Sequence, residues 1–390
     1  MTTTTTAIKT LRFGVIGAGL MGREFASAAA RWCHLLDQNV RPEIVAVCDP
    51  NPQAVAWFEQ AVPTVTFTTD DYKQLIARDD VDAIYCAVPH HLHSQLYTDI
   101  IASGKHLLGE KPFGIDQPTN RQILETIAAN PGVTVSCSSE MPFFPGAMRV
   151  ADAVRSGSIG RILGVEAGFW HSSDLNPLKP INWKRRVATC GEYGCLGDLG
   201  MHVAHLPLRF GWKPRKISAV LSKVVKERPD GQGGSAPCET WDNATLFGRV
   251  QLPDQDFPLT LSTNRIAPGH GNTWFISVLG TEQSIAFSTN NPKALRTLDY
   301  TPGGPQSWAT TDTPYASAYP AITGAIFEFG FSDAIQQMWA AFCDEAANGR
   351  DAMNQPLYCA TPQEAADSHA LFTAALESHQ LDTAVEVAWN

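Results

Sequence analysis

At 390 residues, with 44% apolar and 17% charged side chains, the chain is long enough for two packed domains and too apolar to stay unfolded. Its formal net charge of −10 argues against nucleic acid as the main partner, because an acidic surface repels phosphate backbones. The nine cysteines are odd in number, lack a CxxC pair and sit largely in apolar runs, so they read as small buried hydrophobes in a reducing compartment rather than a disulfide framework.

Residues 1–10, beginning Met-Thr-Thr-Thr-Thr-Thr, have no apolar stretch like that of a signal peptide or membrane span. They read as a flexible tail, with the cytoplasm as the expected location and no membrane partner. From Leu11 onward, strands are expected at Leu11–Ile16, Glu43–Cys48, Thr64–Phe67, Val81–Val88, Lys105–Leu108 and Val133–Cys137. Helices are expected between them, at Met21–Leu36, Pro52–Gln60, Tyr72–Ala77, His91–Ala102 and Pro118–Ala129. Nearly continuous apolar strands alternating with helices make βαβ units and a parallel sheet covered on both faces.

The pattern changes after Ser138, at the Pro-rich stretch Met141 to Pro145. A helix at Ala147–Arg155, a strand at Ile162–Phe169, an irregular segment from Trp170 to Gly197 and a helix at Met201–Phe210 follow. Strands are then expected in succession at Ile217–Val224, Ala244–Val250, Leu259–Ser262, Trp274–Leu279 and Ser284–Phe287, which predicts a largely antiparallel sheet. A loop over roughly Asn290 to Ala321 leads to helices at Phe331–Ala347 and Pro362–Ser378. The expected division is a dinucleotide-binding domain over residues 11–138 and a substrate-binding, catalytic and oligomerisation domain over 139–390, with helix 362–378 a candidate to pack back on the first domain.

The first strand runs straight into Gly17-Ala18-Gly19-Leu20-Met21-Gly22 and a helix. Gly17 permits the tight turn, Gly19 lets the backbone approach a pyrophosphate, and Gly22 allows close helix–strand packing. The helix start at Leu20 and Met21 then offers free N–H groups and a positive dipole end. The second strand ends at Asp49, where a carboxylate would bond a ribose 2′-hydroxyl and repel a 2′-phosphate, favouring NAD over NADP. Asp49 also fits a plainer part, capping the turn Asp-Pro-Asn-Pro.

Two further strand ends and a later segment complete a pattern. The fourth strand ends in Pro89-His90-His91-Leu92-His93, the fifth in Gly109-Glu110-Lys111-Pro112, and Gly194-Cys195-Leu196-Gly197-Asp198-Leu199-Gly200-Met201-His202 comes later. The chain resembles the glucose–fructose oxidoreductase/inositol dehydrogenase family (Gfo/Idh/MocA). Its members carry a Pro-Asn-x-x-His-like turn, a Gly-Lys-His…Glu-Lys-Pro segment and a Gly-x-Leu-x-Asp-x-Gly-x-His motif. Ala102 to Pro112 matches the second in order and spacing. The resemblance is strong over residues 11–137, clear at 157–166 and 191–202, and architectural elsewhere. It implies a Rossmann domain followed by an α+β domain with an open, mostly antiparallel sheet. It also implies a nicotinamide cofactor beside Pro89, His93, Glu110 and Lys111, and a dimer or tetramer built through the second sheet.

The resemblance further implies that Lys111, Asp198 and His202 carry the proton chemistry. An imidazole can accept an alcohol proton and return it. An ammonium can stabilise a developing alkoxide, and Asp198, four residues before His202, can orient the imidazole or bind a substrate hydroxyl. Plainer readings stand beside these: Asp198 as the cap of a helix starting at Leu199, His202 as a packed core histidine, Lys111 as a surface residue. Three departures are visible. His90 takes the place of the usual Asn. His205 stands where many relatives carry an acidic residue. Ser139-Glu140 replaces an Asn-x-Arg-like segment, leaving Glu140 either a contact to substrate or nicotinamide amide or an ordinary loop residue. No metal is expected, since Asp198, His202 and His205 lack a further ligand and the family reaction needs none.

Trp170, His171, Asp174, Trp183, Arg185 and Arg186 precede the last motif. Aromatic planes beside hydrogen-bonding groups suit a sugar or polyol, with Arg185 available to an anionic group; a solvated loop with one packed Trp is the plainer reading. The expected partner is therefore a small polyhydroxylated substrate, read by Trp170, Trp183, Arg185, His205 and the catalytic residues. The expected activity is a dehydrogenase acting on a secondary alcohol of a sugar or cyclitol. The alternatives are an NAD-dependent glycosidase working by transient oxidation and elimination, and a non-enzymatic sensor of NAD or sugar, which would have no use for a proton relay.

Overall fold

The computed structural model describes residues 8–389. The six apolar runs form one parallel sheet in the order β3-β2-β1-β4-β5-β6. These are β1 (Lys9–Ile16), β2 (Val40–Cys48), β3 (Phe67–Thr69), β4 (Ala83–Cys86), β5 (His106–Gly109) and β6 (Val135–Cys137). The strand order reverses between β1 and β4, which opens a crevice at their carboxyl ends. The connecting helices are α1 (Leu20–Ala30), α2 (Pro52–Ala61), α3 (Tyr72–Ile76), α4 (His93–Ala102) and α5 (Gln117–Ala129). Local chemistry sets their starts: Asn51 caps α2 through the amide of Gln53, and Asp116 and Thr119 form a reciprocal capping box on α5. Helix α1 stops at Ala30 rather than continuing to Leu36, and the chain leaves it through a tight turn at Trp32–His34.

The second half begins with α6 (Pro145–Ser156) and β7 (Ile162–Trp170). A mostly irregular segment holding the single turn α7 (Val187–Cys190) leads to α8 (Cys195–Arg209). Then come β8 (Pro214–Ser222), the small hairpin of β9 (Glu227–Pro229) and β10 (Ser235–Pro237), β11 (Asn243–Gln251), β12 (Asp256–Asn264), β13 (Thr273–Gly280), β14 (Gln283–Ser288), β15 (Ala294–Asp299) and β16 (Ala309–Asp312). Helices α9 (Phe331–Asn348) and α10 (Pro362–Leu381) and strand β17 (Val385–Glu386) end the fold. The nine-stranded sheet runs β16-β15-β14-β13-β7-β12-β11-β8-β17, antiparallel except between β7 and β12. Alternation puts Val165, Ala167, Leu259, Leu261, Ile276 and Val278 on the inner face against α6, α8 and α10, and leaves Leu163, Val220 and Phe247 exposed on the outer one.

Strands β15 and β16 fall inside the segment expected to be a loop. They lie at the margin of the sheet, β16 at its edge and β15 beside it, with no fully buried position, so no apolar alternation marks them. Helix α9 lies on the first sheet: Trp339 stacks on Phe25 of α1, with centroids 3.4 Å apart, and meets Phe13 of β1 and Tyr85 of β4 edge-on. Helix α10 packs on α8 and β8 and also reaches α5 and β6, while the Cys137 amide donates to Ala360 O at 2.8 Å.

Candidate active site

At the β1–α1 junction, Gly17 has φ +97° and a Cβ there would meet Ala87 O at 2.3 Å, so the turn admits no side chain. A Cβ on Gly22 would meet Gly17 O at 2.3 Å, whereas one on Gly19 would meet nothing within 4 Å. The loop is thus packed below and open above. No side chain caps α1, its first turn holds no acidic residue, and Leu20 stands exposed over it with Met21 half-buried. These features fit a dinucleotide pyrophosphate, which would supply the missing acceptors and the negative charge. Asp49 accepts from Ala18 N at 2.8 Å and from Asn51 N at 2.8 Å, so the turn-capping contact and a brace on the glycine loop are both present.

Across the crevice, Lys111, just past β5, meets Asp198 of α8 at 3.3 Å. Helix α8 begins at Cys195, so Asp198 sits inside its first turn and is not the cap; Gly194, with φ +55°, takes that position. The Asp198 carboxylate is buried among three cations. Lys184 Nζ lies 2.9 and 3.0 Å from its two oxygens, and Arg265 Nε lies 3.4 Å from Oδ2. Burial alone would raise the Asp198 pKa, but Lys184, Lys111 and Arg265 hold it well below the carboxylate range. Burial would likewise lower the Lys111 pKa, but Asp198 and Glu110 outweigh it and leave it raised. Lys111 is therefore held as an ammonium, with N–H groups to donate in hydrogen bonds. Three cations around one carboxylate leave the crevice positive where an alkoxide would develop.

One turn further, His202 is buried against Phe169, with ring centroids 5.5 Å apart. Its Nδ1 lies 3.2 Å from Ser139 Oγ and 3.8 Å from Glu140 Oε2, and its Nε2 has no hydrogen-bond partner among the described residues. Burial, reinforced by Lys111, pushes its pKa well below 6.5, so the ring is a neutral base. Burial raises Glu140 to about 7.

Other expected residues lie elsewhere. The Arg185 guanidinium turns into the fold: it is fully buried and ion-paired with Asp242 and, at 3.1 Å, with Asp174. Charge neutralisation inside the fold outweighs exposure at that position, and Lys184, its neighbour on a tight turn, points to Asp198 instead. His205 is also fully buried, its Nδ1 3.0 Å from Ser139 Oγ and its Nε2 3.7 Å from Glu364, so it stands behind His202 rather than against a ligand. His93 is buried with its ring nitrogens 2.6 Å from Pro112 O and 2.9 Å from Val88 O, which ties the half-buried Pro89 turn to the segment carrying Lys111. Glu110 is buried and accepts the Tyr85 hydroxyl at 2.8 Å. Half-buried Trp170 spends its indole N–H on Ser262 Oγ at 2.9 Å, while half-buried Trp183 lies edge-on to His90 at 4.7 Å and beneath Lys184 at 5.6 Å. Sequence reasoning missed Lys184, Arg265 and Ser139. Lys184 and Ser139 sat in segments already singled out, but nothing local marks Arg265.

Residues 11–139 match the model of an oxidoreductase family with an NAD-binding Rossmann fold, and residues 147–286 match the GFO/IDH/MocA C-terminal domain. The chain belongs to the GFO/IDH/MocA family. The Rossmann domain of this GFO/IDH/MocA oxidoreductase is accordingly an NAD-binding one. Levoglucosan dehydrogenase of Pseudarthrobacter phenanthrenivorans is 25% identical over 72% of this chain and 74% of that protein. A glycosyl hydrolase family 109 protein of Shewanella pealeana is 29% identical over 42% of this chain and 36% of its own length. Among solved structures, levoglucosan dehydrogenase in complex with NADH and levoglucosan superposes with a TM-score of 0.87 at 20% identity, covering 98% of this chain and all of that one. Among the described residues no helix is long and apolar enough to cross a membrane.

Proposed function

We propose that this GFO/IDH/MocA member is an NAD-dependent dehydrogenase acting on a secondary alcohol of a sugar, sugar derivative or cyclitol. The observation that carries the reading is the 3.3 Å contact between Lys111 of the first domain and Asp198 of the second, one helical turn from His202. The uncapped start of α1, with Gly17, Gly19 and Gly22, would hold the pyrophosphate of NAD. Each Asp49 oxygen holds one backbone amide and keeps a second lone pair for the ribose hydroxyls. Bound there, NAD would supply the hydride-accepting chemistry. Lys111 Nζ spends one of its three donors on Asp198 and keeps others for the substrate oxygen. His202 Nε2 takes the hydroxyl proton, and ionised Asp198 favours the imidazolium that results. Similarity to levoglucosan dehydrogenase supports a sugar-like substrate.

The test is a panel of sugars, anhydrosugars, inositols and glycosides assayed for NADH appearance. Lys111→Ala and His202→Ala should each lower kcat/KM by about 10²- to 10⁴-fold, with NAD affinity, read by fluorescence titration, within a few-fold of the parent. Full turnover in the double variant would remove both residues from the chemistry. The local likeness to a family 109 glycosyl hydrolase supports a second reading, cleavage of a glycoside by transient oxidation. Aglycone release with no net NADH would select it.

A further inference from the structure

Ser139 Oγ bridges two imidazoles, 3.2 Å from Nδ1 of His202 and 3.0 Å from Nδ1 of His205. All three side chains are buried. A hydroxyl carries one hydrogen, so it donates to one ring at most and accepts from the other. The direction of the bridge is decided at its far end. His205 Nε2 is buried without a hydrogen-bond partner among the described residues and faces the Glu364 carboxylate at 3.7 Å. That distance is too long for a hydrogen bond, yet short enough for charge to choose: an N–H turns its positive end to the carboxylate, a lone pair its negative end. Glu364 is held as an anion by Arg209, whose Nε and Nη2 lie 2.8 and 2.9 Å from its oxygens. Burial, reinforced by Arg209, depresses the His205 pKa to about 3, so the ring is neutral and has a single N–H. That hydrogen belongs on Nε2. Nδ1 of His205 then accepts from Ser139, and Ser139 can only accept from His202. Glu140 Oε2, 3.8 Å from the same His202 nitrogen, pulls the hydrogen the same way once that carboxyl is ionised, above about pH 7.

We propose that Glu364 and His205, acting through Ser139, hold His202 as the Nδ1–H tautomer, so that the lone pair sits on Nε2. The catalytic value of this arrangement rests on the proposed role of His202 as the base; the tautomer itself does not. Ser139, His205 and Glu364 are positioning residues under this reading. It also accounts for a histidine at 205, which can be locked as a one-way acceptor.

The experiment is nitrogen NMR on the full chain labelled with 15N-histidine, without substrate, at a pH where the ring is neutral. His202→Gln identifies the signal among the eleven histidines. The expected result is a pyrrole-like shift at Nδ1 and a pyridine-like shift at Nε2 of His202; a proton on Nε2 overturns the proposal. Ser139→Ala should mix the two tautomers and lower kcat about tenfold, with NAD affinity unchanged, and Ser139→Thr, which keeps the hydroxyl, should restore both. Glu364→Gln, whose amide can donate to His205 Nε2, should drive the His202 proton toward Nε2. A His202 signal unmoved by both Ser139→Ala and Glu364→Gln overturns the coupling. Near-UV circular dichroism confirms that each variant is folded. A protein with the expected tautomer that oxidises no polyol keeps this inference and sinks the proposed function; an active dehydrogenase with the proton on Nε2 does the reverse.

Discussion

Asp198 is the shared counter-charge of three buried or half-buried cations, and the crevice depends on that single charge. Asp198→Asn would leave Lys111, Lys184 and Arg265 facing one another. Removing one partner of a buried ion pair costs about 3–5 kcal/mol, so both the denaturant midpoint and turnover should fall, and an unchanged midpoint would show that the cations are solvated. The pH profile follows from the same surroundings. His202 keeps its base form well below pH 6.5, so an acid limb near pH 7 in kcat/KM belongs to Glu140, which burial raises to about 7. Glu140→Gln should remove that limb; its persistence would return it to His202. Lys111, Asp198 and His202 were legible because a short motif marks each one. Lys184, Arg265 and Ser139 were not, because their contacts to Asp198 and His202 form only when separate elements fold together and leave no local period. Arg185 was misjudged for a related reason: adjacent residues on a tight turn point opposite ways, and the sequence does not say which one finds Asp174 and Asp242 inside.

Helix α8 carries most of the site, and its sequence disguises it. Gly197 and Gly200 each lower helix propensity by about 1 kcal/mol, which is why the sequence placed the helix start near Met201. The structure starts it at Cys195, because the glycines are where other elements come close: a Cβ on Gly200 would lie 2.5 Å from the Phe372 ring of α10, and one on Gly197 lies 3.8 Å from Pro112 beside Lys111. Packing decides against propensity here. Gly200→Ala should therefore destabilise despite the better helix former, by about 1–3 kcal/mol as overpacking does. Thermal melts measure it, and a raised Tm would mean that Phe372 moves aside freely. The βαβ series was readable because its strands are buried on both faces. The poorly buried strands β15 and β16 at the sheet's margin and the hairpin β9–β10 lack that signature.

Over the whole molecule, buried histidines set the acid limit. Burial depresses His93 and His369 to about 4 and His205 to about 3, against about 6.5 unfolded. The unfolded chain therefore binds protons that the folded one refuses, and stability present above pH 6.5 is lost as pH falls toward 4. Each group contributes about 1.4 kcal/mol per pH unit in that window. Glu140 acts oppositely between 4.5 and about 7, since the fold holds a proton there that the open chain has released. His171 is likewise depressed to about 4, and His90 and His202 well below 6.5, so the histidines outweigh Glu140 and urea midpoints should drop steeply from pH 6.5 to 5; a flat profile would mean these rings are hydrated and protonated in the native state.

The Trp339 stack on Phe25 couples the end of the chain to its beginning. A ribosome releases the nucleotide-binding strands early, but the helix that seals their aromatic face emerges roughly 190 residues later, about ten to forty seconds at ordinary translation rates. During that interval Phe13, Phe25 and Tyr85 lack the cover that Trp339 gives them in the finished fold.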